Sequence, residues 1–270
     1  MMRIRWNQYV RNERGSGMTI LVIGLLMAAI FLTFIFFDFS NVFINKRVTQ
    51  TGADAAALAA AKSSRISMKE ELKKETEKEL DELGKRWEDF LSSEDEKEKE
   101  KEKEKEKEKE KDKEKEKEKD KSKDKPKDEK DEPAPTTDEL LEKFVKSEES
   151  AHGGRTMPGD MKSWLLDHST EVEANSAMKF FFDDEGVSKI ACKAVRDNFD
   201  SAKKEADKFA EENDNDRVKT LTFIADEFRV FASTERKGDY TTVSSDAVPA
   251  ISSESSARIG EPKGFRISCE

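Results

Sequence analysis

The chain has 270 residues, of which 41% are charged and 34% hydrophobic, and a formal net charge of −10. An acidic balance without a basic patch gives nucleic acid no footprint. Two histidines and two cysteines, none at metal-ligand spacing, argue against a zinc site. No Walker, nucleophile-elbow or dinucleotide pattern occurs, so the chain reads as non-enzymatic, with no cofactor and no small-molecule substrate.

Residues 1–17 form a basic tail, with Arg3, Arg5, Arg11 and Arg14 against Glu13. Residues 18–37 contain no ionisable group, and thirteen of those twenty are Leu, Ile, Val or Phe. Twenty helical residues rise about 30 Å, the thickness of a hydrocarbon core. Central-position insertion values sum to about −4 to −8 kcal/mol for those thirteen, more than the weak opposition of Thr19, Gly24 and Thr33. A cleaved secretory signal has a shorter apolar region and ends at a small-x-small site. Phe36, Phe37 and Asp38 stand at that place, so the reading is an uncleaved single-pass anchor. The next basic residues, Lys46 and Arg47, lie well past the span, so the N-terminus is expected in the cytoplasm and the bulk of the chain outside a bacterial cell membrane.

Residues 38–93 read as a membrane-proximal helical region. The alanines of 53–61 have the highest helix propensity, and Leu72, Thr76, Leu80, Leu83, Trp87 and Phe90 recur three and four apart as one amphipathic stripe. The stripe suits either a partner helix, as in a short coiled coil, or the distal part of the same chain.

Residues 94–136 are a low-complexity spacer. Within 94–132, 37 of 39 residues are charged, and lysine takes every odd position from 97 to 127. In a helix this alternation places like charges four apart and mostly opposite charges three apart. No apolar residue offsets the entropy of ordering, so a disordered spacer is expected. A single long helix is the alternative, ended by Pro126, Pro133 or Pro135.

Residues 137–270 carry ten phenylalanines and Trp164, enough for one small α+β domain. Residues 138–147 suit a short helix capped by Thr137 or Asp138. Gly153-Gly154 and Pro158-Gly159 mark a loop. Ile190, Ala191, Ala194, Val195, Phe199, Ala202, Ala206, Phe209 and Ala210 fall on one side of a helix over 187–213. Strands follow at 220–223 and 227–234, joined around Ala225-Asp226, with further strands at 240–243 and 247–251 and Pro249 confining the last to an edge or a strand start. The expected fold is thus a transmembrane helix with a helical extension, a disordered charged spacer, and helices against a short antiparallel sheet. Cys192 and Cys269 would both lie outside, where a disulfide can persist. A buried free thiol at Cys192 is the competing arrangement.

Arg14-Gly15-Ser16 before the apolar run, Asp38 at its end, Lys46-Arg47 beyond, and Ala53-Asp54-Ala55-Ala56-Ala57-Leu58-Ala59 together resemble the N-terminal signature of TadE/TadG-like pilus-assembly proteins, over about residues 14–61. Farther on the likeness is architectural: a helix ending near the Asn-Asp pairs of 213–216, short strands, and a Ser/Ala-rich strand near 252–257. The resemblance implies a bacterial envelope protein accessory to a tight-adherence (Flp) pilus, with other pilus-assembly or pilin-like proteins as partners. The charged spacer is no part of the family pattern. Gly17-Met18 offers the glycine of a prepilin processing site, but Val22 stands where cleaved pilin-like helices carry glutamate, so the likeness is to the uncleaved TadG-like side. Asp38, Ala53, Asp54, Ala57 and Leu58 are the candidate assembly surface. Asp38 also suits a simple membrane exit, and Asp54 the wet face of an alanine helix.

Two functions remain. One is a TadG-like accessory or minor pilin-type component that works through the membrane helix and its extension. The other is a tethered binding module in which the spacer presents residues 137–270 to a cell-wall polymer or partner protein.

Overall fold

No proline occurs before Pro126, and in the computed structural model one helix, α1, runs uninterrupted over Ser16–Glu116. The structure describes residues 16–116 and 135–269. Five further helices follow: α2 (Thr137–Ala151), α3 (Gly159–Leu166), α4 (Ala174–Phe181), α5 (Asp184–Asp197) and α6 (Phe199–Glu212). Three strands, β1 (Arg217–Ile224), β2 (Arg229–Arg236) and β3 (Ile251–Arg258), with a short 3-10 turn at Ser245–Ala247 between the last two, complete the order among the described residues. The helices and the small antiparallel sheet agree with the expected classes.

Near its start α1 is long and apolar enough to cross a membrane, and none of that apolar window is buried against protein. At its other end the helix continues through residues 94–116, where a disordered spacer was expected. Lys and Glu are good helix formers, and a helix already nucleated adds residues without a new nucleation cost. Opposite charges three apart help, as between Lys97 Nζ and Glu94 Oε1 at 2.7 Å. The rest of the expected spacer, 117–134, lies outside the described residues.

The chain forms two compact units, each drawing on both sides of the charged tract. The first comprises Met1–Ser67, Cys192–Gly260 and Ser268–Glu270, and the second Met68–Ala191 and Glu261–Ile267. Residue 137, where the distal domain was expected to begin, lies within the second unit.

In the first unit the sheet has the order β1-β2-β3, antiparallel throughout. The β1–β2 turn closes with the Phe228 amide donating to the Ala225 carbonyl at 3.2 Å, Phe228 taking a left-handed φ of 49°. Central strand β2 buries Val230, Ala232 and Thr234. Edge strand β1 carries a bulge between Val218 and Thr220, with Lys219 in the gap, features that discourage pairing with a further strand. Residues 240–243 are not a strand, because the Asp38 carboxylate takes two of their amides. The last expected strand begins at Ile251, with Pro249 before it, as a residue lacking an N–H requires. The single helix expected over 187–213 is two, broken at Asn198. That side chain donates to the Ala194 carbonyl at 3.1 Å, a local bond that competes with helix continuation. Ala202, Ala206 and Ala210 of α6 are buried, and α6 lies against β1. Cys192 and Cys269 form a disulfide with Cα atoms 5.7 Å apart.

The second unit is built on aromatics. Leu83 and Trp87 of α1 are buried with Phe144, Val145, Met161, Leu165, Phe180 and Phe181, with Leu80 and Phe90 beside them. Trp87 and Phe144 ring centroids are 5.1 Å apart, and Phe90 and Phe144 5.5 Å. The amphipathic stripe thus packs on the chain's own α2, which settles the open choice against a partner coiled coil for these residues. Arg86 holds Glu148 through two hydrogen bonds of 3.1 and 2.9 Å. Helix α2 starts one residue earlier than expected, with Thr136 as cap. The Glu139 carboxylate accepts from the Thr136 amide, and the Thr136 hydroxyl from the Glu139 amide.

Candidate interaction surface

Beyond the apolar run α1 has two unlike faces. One buries Asp38, Asn45, Thr49, Ala53, Ala56, Ala60 and Ser64, spaced three, four or seven apart and all small or polar. Small side chains let the helix backbone come close to what it packs on. At Gly52 the approach is closest: a Cβ there would overlap the side chain of Asn215, which donates to the Val48 carbonyl at 3.4 Å. The Thr234 hydroxyl of β2 donates to the Thr49 carbonyl at 3.1 Å. Lys46 Nζ and Gln50 Nε2 donate to the carbonyls of Ser252 and Glu254 on β3, at 2.6 and 3.1 Å. Two side chains one turn apart on α1 thereby satisfy alternate carbonyls of an edge strand.

Asp38 is an anchor within this face. Its carboxylate accepts from the amides of Thr241 and Thr242, at 2.6 and 2.7 Å, and from the Thr242 hydroxyl. The Thr242 hydroxyl foremost, then the Thr241 amide, hold its carboxyl below the ordinary carboxylate range, against the opposing effect of burial. Asp38 stands just past the apolar stretch, so this clamp fixes the loop 240–243 beside the point where α1 leaves it.

The opposite face is open. Ile44, Thr51 and Leu58 recur at seven-residue intervals and are all exposed, Leu58 by 65% of its surface. Asp54 is exposed beside them, its carboxylate accepting from Gln50 Nε2 at 3.1 Å. The five candidate residues therefore do not form one patch: Ala53 and Ala57 are fully buried and Asp38 nearly so, while Asp54 and Leu58 point outward. Alanine-rich sequence does not tell a packing face from a free one, since alanine suits both. The partners that bury Asp38 and Gly52 lie far along the chain, in Thr241, Thr242 and Asn215, and no local pattern announces them. Lys46 stood out in sequence beside Arg47; its carbonyl partner did not.

Both histidines have structural contacts. His152 packs on Phe180 with ring centroids 4.8 Å apart, and His168 stacks on Trp164 at 4.4 Å. Among the described residues no group of three or more His, Cys, Asp or Glu is placed to hold a metal ion.

Residues 15–63 match the family model described as putative Flp pilus-assembly TadE/G-like. No curated protein and no solved structure matches the chain significantly. The matched stretch covers the apolar run, the Asp38 anchor and both faces of the alanine-rich helix. It supports a role in pilus assembly and, with the one apolar helix near the N-terminus, a place at a membrane.

Proposed function

We propose that the chain is a non-enzymatic, TadG-like accessory or minor pilin-type component of Flp pilus assembly or of a related secretion apparatus. The observation that carries this reading is the coincidence of the family match with α1 from its apolar run to residue 63. It is anchored by residues 18–37 with its N-terminus in the cytoplasm, as the four tail arginines favour. The Cys192–Cys269 disulfide fits folded parts outside, where such bonds persist. The anchor is retained, Val22 occupying the position where a cleaved helix carries glutamate.

Its partners are other pilus-assembly or pilin-like envelope proteins, met on the open face of α1 at Ile44, Thr51, Asp54 and Leu58. That face continues the helix directly from the membrane span, so a neighbour's membrane helix running alongside would reach it without a change of direction. A photo-crosslinking residue at position 58, in cells that make the chain at native level, is expected to capture another envelope protein. Capture of lipid alone, with a buried control at position 57 equally silent, contradicts the reading.

A further inference from the structure

A cavity of about 350 Å³ opens in the second unit, within the range of small-molecule sites. Its lining is mainly apolar, with Leu72 from α1, Met178 from α4 and Pro262 from the C-terminal segment, and three lysines, Lys69, Lys73 and Lys263, contribute to it. The only hydroxyl in the lining, that of Thr76, is spent on the Leu72 carbonyl at 2.7 Å.

Lys69, Leu72, Lys73 and Thr76 follow the i, i+3, i+4, i+7 spacing, so α1 turns one face to the cavity. The opposite wall is held by a turn in which the Phe265 amide donates to the Pro262 carbonyl at 3.2 Å, with Gly264 at φ 87°. That conformation favours glycine, and a Cβ at Gly264 would also come within 2.7 Å of Lys179 Cε. Lys263 is thus set on a fixed turn.

The neighbouring carboxylates are largely engaged elsewhere. Glu71 lies 3.5 Å from Lys74, Glu173 accepts from the Ser176 hydroxyl, and Glu261 accepts from the Ile267 amide at 3.3 Å. Lys73 has an exposed pairing with Glu77 at 3.6 Å, of the kind worth little in water. Among the described residues, Lys69 and Lys263 have no carboxylate within ion-pair distance. An apolar hollow with three lysines in its lining matches a ligand that is apolar at one end and anionic at the other.

We propose that this cavity binds an amphipathic anion, an alkyl or acyl body bearing one carboxylate or phosphate. The alkyl part replaces water against Leu72, Met178 and Pro262, and the head meets Lys69 and Lys263 at the rim. The test uses the full chain in lipid nanodiscs, titrated calorimetrically with hexanoate, hexyl phosphate, hexanol and hexyltrimethylammonium against empty nanodiscs. Saturable binding of one or both anions is expected, the pair of them telling a carboxylate site from a phosphate site. Hexanol and the cation are expected to bind about tenfold or more weakly. The exposed double variant K69Q/K263Q should weaken the anion about tenfold, and Ala174→Phe, which fills the mouth, should abolish binding. No saturable anion binding, equal binding of the cation, or unchanged affinity in K69Q/K263Q overturns the proposal. The double variant decides the matter if Ala174→Phe disturbs folding.

Discussion

Asp38 shows how one residue changes meaning between sequence and fold. At the end of twenty uncharged residues it reads as the place where a helix re-enters water, but its carboxylate holds two amides and a hydroxyl from residues 241–242. Since the folded carboxyl is depressed below its unfolded value, its contribution is complete above the ordinary aspartate range, about pH 4, and is lost as pH falls through the lower folded value. Asp38→Asn is therefore expected to lower the thermal midpoint at neutral pH and to have a smaller effect in acid. Melting curves at several pH values check this, and equal loss at every pH would show that the charge plays no part. Asp54, sixteen positions on, has among the described residues only a side-chain partner on its own helix. Two aspartates in one motif thus do different work, one facing inward to the fold and the other outward.

Elements were legible in proportion to how local their causes are. The apolar run, the alanine helix and the β1–β2 hairpin follow from composition, propensity and a turn, and all stand where expected to within a few residues. Short helices α3 and α4, eight residues each, left only weak periodic signals such as Met161 with Leu165. The break at Asn198 was hidden because the alanine face continues across it, and residues 240–243 fail as a strand because Asp38 takes their amides. For the stripe of Trp87, periodicity foretold an amphipathic helix but not its partner, since an apolar face is the same whether it meets its own chain or another. Its partner is α2. Trp87→Ala should cost about 3–5 kcal/mol of stability in the unit holding Phe144 and Phe180. Denaturant unfolding followed by hydrogen exchange in α2 and α4 measures it; a loss below about 1 kcal/mol would mean the stripe is not core.

For the whole molecule, the charged tract is the feature most changed by the structure. As a tether it would separate a membrane part from a distal domain, yet Trp87 and Phe90 before it share one core with Phe144 after it. The residues on either side of the tract are held together in that core, so a tether that sets residues 137–270 apart from α1 finds no support in this packing. Replacing residues 94–132 with about ten Gly/Ser residues should change stability by no more than about 1 kcal/mol, since loop-closure entropy varies slowly with length. Loss of cooperative unfolding would show instead that the tract is integral to the fold. The proposed assembly role rests on the apolar part of α1 and on the open face that continues it, where Leu58 is the most exposed large apolar side chain past residue 37. The most direct test is Leu58→Arg in the full chain, with piliation and recovery of the envelope complex as readouts and the melting midpoint as control. The account predicts an unchanged midpoint with loss of the complex and of pili; a stable, membrane-inserted variant that still assembles both would contradict it.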